Sequence, residues 1–172
     1  VRGAQTSGAA IVAFNDDAYL SYKGTVSKAA SSKKENNTGA NAPVSELATF
    51  AYTTALNYLL RSGEHNRQRL QVGDTSVVFW AEAADTAQAA AAEDTLFAML
   101  SPPADDASEA ARIRTILERV AKGRPMTDLA PGLEPTTRMY VLGLAPNASR
   151  LSIRFWQVDT FGSFAERVAQ HA

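Results

Sequence analysis

The chain of 172 residues, 45% hydrophobic and 20% charged, is long enough for one globular domain with its own core. Its 17 basic and 18 acidic residues leave a net charge of -1, which excludes a global attraction to nucleic acid or acidic lipid. The absence of cysteine excludes disulfides and thiolate metal sites, and with two histidines a histidine-built zinc site is nearly excluded.

The chain carries no targeting or membrane signal that we recognise. Its apolar stretches are far shorter than the roughly 20 residues of a membrane helix, and its N-terminus lacks the apolar core of a signal peptide. We therefore predict a cytoplasmic protein. Because the sequence starts at Val1 rather than at methionine, we expect it to be a piece of a longer polypeptide.

The first 43 residues contain one predicted strand and one long polar segment. Residues 10–14 are apolar and β-branched and precede Asn15 and two aspartates, which predicts a buried strand followed by a turn. Residues 22–43 contain almost no large apolar side chains, so we expect a mobile loop there. Its basic residues are Lys23, Lys28, Lys33 and Lys34.

The next predicted elements are a helix, a strand and two further helices. Ser45 is the predicted N-cap of a helix that runs to about Ser62, with apolar side chains at three-and-four spacing that form one buried stripe. Residues 75–81 are apolar on both faces, which predicts a central strand covered on both sides. Residues 85–100 and 105–122 predict helices.

The last predicted elements are two strands and a helix. Residues 138–144 and 151–158 alternate as strands joined by a hairpin loop, and residues 161–170 predict a short helix. The complete order is β-α-β-α-α-β-β-α. We therefore predict a single α+β domain with a mixed β-sheet and packed helices.

Acidic side chains that follow the first two predicted strands offer one candidate catalytic site. They are Asp16, Asp17, Glu82 and Asp85. On adjacent strands they would bind Mg²⁺ and support a nuclease, although turn formation and helix capping explain the same residues more simply. His65 and His171 have no catalytic partner at a recognisable spacing. We expect no enzymatic activity, no metal and no other cofactor.

Basic residues offer candidate phosphate contacts. The lysines of residues 22–43 have no core role, and flexible lysines neutralise phosphates without precise geometry. Under strict alternation Arg154 and Trp156 share one strand face, where they would hold a phosphate and a stacked base. The alternative is a tryptophan buried under a helix and an arginine paired with an acid.

Charge is distributed unevenly along the chain. Residues 81–111 contain seven acidic and no basic residues, whereas residues 112–172 contain nine basic and five acidic ones. Arg112, Arg119 and Lys122 share one face of the predicted third helix, which a solvated surface explains equally well as nucleic-acid binding. We expect the acidic stretch to face away from nucleic acid.

Several sequence blocks resemble the large subunit of the type I-C CRISPR Cascade complex, in the order of that family. The blocks are residues 41–45 (NAPVS), 50–57 (FAYTTALN), 73–80 (GDTSVVFW), 140–147 (YVLGLAPN) and 150–156 (RLSIRFW). None is a generic motif, and the resemblance spans roughly residues 8–171. Proteins of that family are several times longer, so the chain resembles their middle portion.

The resemblance implies a non-catalytic subunit of a crRNA-guided surveillance complex that supports recognition of the protospacer-adjacent motif (PAM). The implied partners are other Cascade subunits, crRNA, target and displaced DNA, and the helicase-nuclease that such subunits help to recruit; a membrane is not among them. From the residues themselves we predict these nucleic-acid contacts: Lys23, Lys28, Lys33, Lys34, Arg150 and Arg154. A Mg²⁺-dependent nuclease and a pure protein-interaction scaffold are the alternative functions.

Overall fold

The computed structural model describes residues 44–63, 66–124, 132–147 and 150–171. Its elements in chain order are α1 (Glu46–Leu60), β1 (Arg69–Val72), β2 (Thr75–Glu82), α2 (Thr86–Leu100), α3 (Ala107–Ala121), β3 (Arg138–Asn147), β4 (Arg150–Thr160) and α4 (Phe161–His171). The predicted α+β class is confirmed. The predicted strand at residues 10–14 and the basic segment at residues 22–43 lie outside the described residues.

The four strands form one sheet in the order β1-β2-β3-β4, and each strand pairs with its chain neighbour. The sequence predicted a mixed sheet, but every pair among the described strands is antiparallel. Two helices, α2 and α3, connect β2 to β3, so the chain enters β3 in the direction opposite to β2. Strand β1, which the sequence analysis missed because it is short and half polar, joins β2 directly. It reaches β2 through a tight turn in which Gly73 has a φ of 59°, so no crossover connection intervenes.

Three helices, α2, α3 and α4, cover one face of the sheet and enclose the hydrophobic core. Strands β2 and β3 contribute alternate side chains to this face, among them Phe79 and Met139, which are completely buried. The helices supply the opposing residues, which include Leu96, Ile116 and Phe161. Burying these large apolar side chains is the main stabilising contribution in this layer.

The helix termini agree closely with the predictions. The side chains of Ser45, Asp85 and Asp106 accept hydrogen bonds of 2.9–3.2 Å from backbone N–H groups in the first turns of α1, α2 and α3. Two of those N–H groups and the Ser108 hydroxyl lower the pKa of Asp106, because they favour its ionised form. Gly123 follows α3 with a φ of 65°, the left-handed conformation expected after a helix.

Helix α1 lies on the other face of the sheet and packs against it only partly. A groove of about 990 Å³ separates the helix from Trp80, Leu142 and Ile153 of the sheet. The predicted buried stripe of α1 lines this groove but stays accessible, and Leu47 is 77% exposed. The prediction that this stripe is buried was therefore wrong for the described residues. Among them, the sheet is the neighbour of α1, and it lies on one side of the helix only.

A β-bulge interrupts the pairing of β3 with β4. Gly143 pairs with Phe155 and Leu144 pairs with Ile153, so Arg154 has no opposite residue. The extra residue shifts the alternation of side chains. Ile153 lines the groove on the α1 face, as Leu144 does, whereas the ring of Phe155 lies over Gly143. The strict alternation predicted from the sequence therefore does not hold at this point.

Substitution of Gly143 tests this close contact. A Cβ atom at position 143 would collide with the ring of Phe155, so Gly143→Ala should lower the free energy of unfolding by about 1 kcal/mol. In the Phe155→Ala background most of that loss should disappear, which a double-mutant cycle by denaturant unfolding measures. An equal loss in both backgrounds would contradict the contact.

Glu93 connects α2 to the edge of the sheet. Its carboxylate accepts hydrogen bonds from the backbone N–H of Ala81 at 2.9 Å and from Nε2 of Gln68 at 2.7 Å. Burial raises the pKa of Glu93 above its ordinary value of 4.5, although the two hydrogen bonds oppose this effect. Because the folded state then holds its proton to higher pH than the unfolded state, this group's contribution to stability falls as pH rises above 4.5.

Variants of Glu93 separate its hydrogen bonds from its charge. Glu93→Ala should destabilise the fold by about 1–2 kcal/mol, because it leaves the N–H of Ala81 without its acceptor. Glu93→Gln keeps an acceptor at this position and should remove the decline in stability as pH rises above 4.5. The measurement is the free energy of unfolding against pH, and an unchanged pH profile in Glu93→Gln would refute this role.

Candidate functional site

Three aromatic side chains on adjacent strands form a cluster on the α1 face of the sheet, which we call the aromatic trio: Trp80, Tyr140 and Trp156. The strand register places Trp80 opposite Tyr140 and Leu142 opposite Trp156, so all of these side chains share one face. The rings of Trp80 and Tyr140 are stacked, with centroids 5.3 Å apart and planes 9° apart.

Trp156 is the accessible member of the trio. Its ring lies 5.6 Å from that of Trp80 and 5.8 Å from that of Tyr140, tilted by 45° and 36°. The side chain is 49% exposed, although it is among the largest apolar groups of the chain. Its strand neighbours Ile153 and Val158 are also exposed, so β4 presents a continuous apolar surface on this face.

Charged groups lie beside the trio in loose pairs. The hydroxyl of Tyr140 donates a hydrogen bond to the carboxylate of Glu82, whose oxygen lies 3.9 Å from a nitrogen of Arg138. Tyr140 and, after it, Glu82 raise the pKa of Arg138. On the other side, Arg154 lies 3.8 Å from Asp74 in the β1–β2 turn. Both arginines are more than half exposed, so these pairs stabilise the fold little.

Arg154 is the one predicted contact residue whose backbone and side chain both belong to the described part of the chain. Arg154 lies at the bulge of β4, two positions before Trp156, with its guanidinium at the surface. The backbone of Arg150 starts β4, opposite Asn147. The other predicted contacts lie outside the described residues: Lys23, Lys28, Lys33 and Lys34.

Sequence reasoning missed the other two members of the trio. It placed Trp80 on a covered strand and assigned no role to Tyr140. Only the pairing of β2 with β3 brings these residues together, and the chain separates them by 60 positions. Their one available signal was that both lie within sequence blocks that resemble the CRISPR family, residues 73–80 and 140–147.

Comparison with known families identifies the chain's relationships. The model of the family described as CRISPR-associated protein (Cas_Csd1) matches residues 1–172. The chain belongs to this family. Membership of this family indicates that the protein works within a CRISPR-associated complex, in agreement with the resemblance noted from the sequence. No curated protein matches the chain.

Two of the carboxylates considered for a nuclease lie within the described residues of this Cas_Csd1 family chain, and both have structural partners. Glu82 accepts the hydrogen bond from Tyr140, and Asp85 caps helix α2. Asp16 and Asp17 lie outside the described residues. Within residues 44–63, 66–124, 132–147 and 150–171, no three histidine, aspartate or glutamate side chains are grouped as metal ligands would be.

The acidic stretch of residues 81–111 lies mostly on the far side of the sheet from the trio. Its helices α2 and α3 belong to the layer that encloses the core. Glu109 forms an ion pair of 2.8 Å with Arg112, which lowers the pKa of Glu109 and raises that of Arg112. Glu82 is an exception, because it lies beside the trio.

The helices of the described ranges were compared with the requirements of a bilayer span. None of them is both long enough and apolar enough to cross a membrane.

Removal of Asp74 tests whether the ion pair of Arg154 is structural. Because both side chains are more than half exposed, Asp74→Asn should change the free energy of unfolding by less than about 1 kcal/mol. Chemical denaturation of the variant measures this change. Phe79→Ala, in the buried core, is the reference for a structural side chain and should cost about 3–5 kcal/mol. A comparable loss in Asp74→Asn would show that Arg154 is committed to the fold.

Proposed function

We propose that this chain is a non-catalytic, nucleic-acid-binding portion of the large subunit of a type I-C Cascade surveillance complex. In that role it holds target and displaced DNA, supports recognition of the PAM and helps to recruit the helicase-nuclease. Its partners are then the other Cascade subunits, the crRNA and the target DNA. The observation that carries the proposal is the family match over residues 1–172.

The face of the sheet on which α1 lies is only partly covered, and we call it the open face. This face supports a binding role. It combines half-exposed apolar side chains on β4 with the exposed guanidinium group of Arg138, and the exposed guanidinium group of Arg154 lies nearby, at the bulge of β4. Apolar surface of this kind, bordered by polar groups, is typical of interaction sites. In RNA-guided recognition base pairing supplies most of the sequence information, so a near-neutral subunit needs only local contacts to phosphates and to a short motif.

The structural roles of Glu82 and Asp85 favour a binding protein over a nuclease. One is engaged by Tyr140 and Arg138, and the other is used as a helix cap. A Mg²⁺ nuclease requires several carboxylates free to converge on the metal. We therefore propose that the chain has no catalytic activity of its own and leaves cleavage to the recruited enzyme.

Helix α1 favours a second function, binding to another protein subunit. From residue 47 to residue 60 the helix has no charged side chain, yet Leu47, Phe50 and Tyr58 are exposed. A helix that lacks charged side chains and exposes several large apolar ones is normally covered. An uncharged surface does not attract phosphates, so α1 suits a protein contact within the complex rather than a nucleic-acid contact.

Charge reversal of the four lysines tests the nucleic-acid role. In the assembled complex, Lys23, Lys28, Lys33 and Lys34 changed together to Glu should weaken target-DNA binding by at least about tenfold at 0.1 M salt. If all four contact phosphates, the slope of log affinity against log salt should decrease in magnitude by about 3–4. Binding isotherms at several salt concentrations give both quantities.

A control variant and one further outcome complete this test. Exposed basic residues at the end of α3 and just beyond it, Lys122 and Arg124, changed to Glu should leave both quantities nearly unchanged, because they lie in the helical layer. If the lysine variant assembles normally and binds DNA with unchanged affinity and salt slope, the lysines are not phosphate contacts. Loss of assembly with intact DNA binding would instead support the scaffold function.

A further inference from the structure

Trp156 is only half buried, although its ring lies next to both other members of the trio. Trp80 and Tyr140 stack on each other, but Trp156 is tilted by 45° and 36° to them and contributes no parallel ring contact. About half of its surface is accessible, at 49%. The accessible half of this residue offers aromatic surface for contact with another planar group.

Charges on both sides of Trp156 indicate what kind of group this is. Arg154 lies two positions before Trp156 on β4, at the bulge. Arg138 lies on β3 opposite Thr160, four positions beyond Trp156, on the same sheet face as Tyr140. Six residues of strand separate these two levels, roughly 20 Å. Both guanidinium groups are exposed, and each faces a carboxylate at 3.8–3.9 Å rather than in a close pair. They can therefore reorient toward phosphates at little cost.

We propose that Trp156 stacks on an unpaired base of single-stranded nucleic acid, with Arg154 and Arg138 contacting phosphates on either side. The proposal rests on the proposed function and specifies the ligand of the open sheet face. An aromatic side chain between cations is the arrangement that single-strand binding proteins use, and stacking on it tolerates any base sequence. In a duplex the bases are stacked on each other and are not available to the ring, so this site selects unpaired strands.

Oligonucleotide binding to the intact protein tests the proposal, with labelled oligothymidine as the probe. Trp156→Leu keeps the apolar bulk but removes the ring, and it should weaken binding about tenfold, the effect of one lost stacking contact. Trp156→Phe should recover most of the affinity. Because stacking involves no phosphate, the salt slope should stay unchanged in Trp156→Leu, in contrast to the four-lysine variant.

Phe155→Leu is the matched control. Phe155 is the neighbouring aromatic residue on β4 and is also partly exposed, but its ring lies over Gly143 on the other face. This variant should bind oligothymidine as the unaltered protein does. An abasic oligonucleotide should bind the unaltered protein and Trp156→Leu equally, since it offers no base. The only two tryptophans of the chain both belong to the trio, so oligothymidine should quench their fluorescence.

The outcomes separate this inference from the proposed function. If the four-lysine variant loses binding while folded Trp156→Leu binds oligothymidine with unchanged affinity, the stacking site is refuted and the proposed function stands. If neither variant changes DNA binding, both fail. If Trp156→Leu prevents assembly of the complex but leaves oligothymidine binding intact, the open face contacts a protein subunit and the inference is overturned.

Discussion

The register of strands β2, β3 and β4 is the constraint on which the rest of the structure depends. Side chains alternate between the two faces of a sheet, so a slip of one residue would move the core residues Phe79 and Met139 to the α1 face. The buried helical layer therefore determines the register. The same register places Trp80 beside Tyr140 on the opposite face, so the core indirectly assembles the aromatic trio.

The two faces of the sheet have different physical characters. One is covered by three helices and contains the core, while the other is partly covered by the uncharged helix α1 and exposes the apolar side chains of β4. A large part of the acidic charge lies on the covered side, in α2 and α3 and the segment between them. Segregation of this kind leaves the open face close to neutral, where ring stacking and a few arginines suffice for binding.

The proposed contacts divide nucleic-acid binding into two physically distinct parts. Lysines at positions 23 to 34 act through charge, so their contribution weakens as salt screens the phosphates. Trp156 acts through stacking in a small apolar patch, which salt affects little. The bulge at Arg154 is central to this division, because the extra residue lets Ile153 and Trp156, three positions apart, share the α1 face.

What the sequence by itself determined was local. Caps, apolar periodicity and glycine positions located α1, β2, α2, α3, β3, β4 and α4, because these signals act within a few residues. Blocks of sequence, and not these physical signals, indicated the CRISPR family. The tertiary structure alone decided the short strand β1, the bulge, the exposure of α1 and the trio. Each of these depends on contacts between residues distant in the chain, and a local pattern carries no information about which strand faces which.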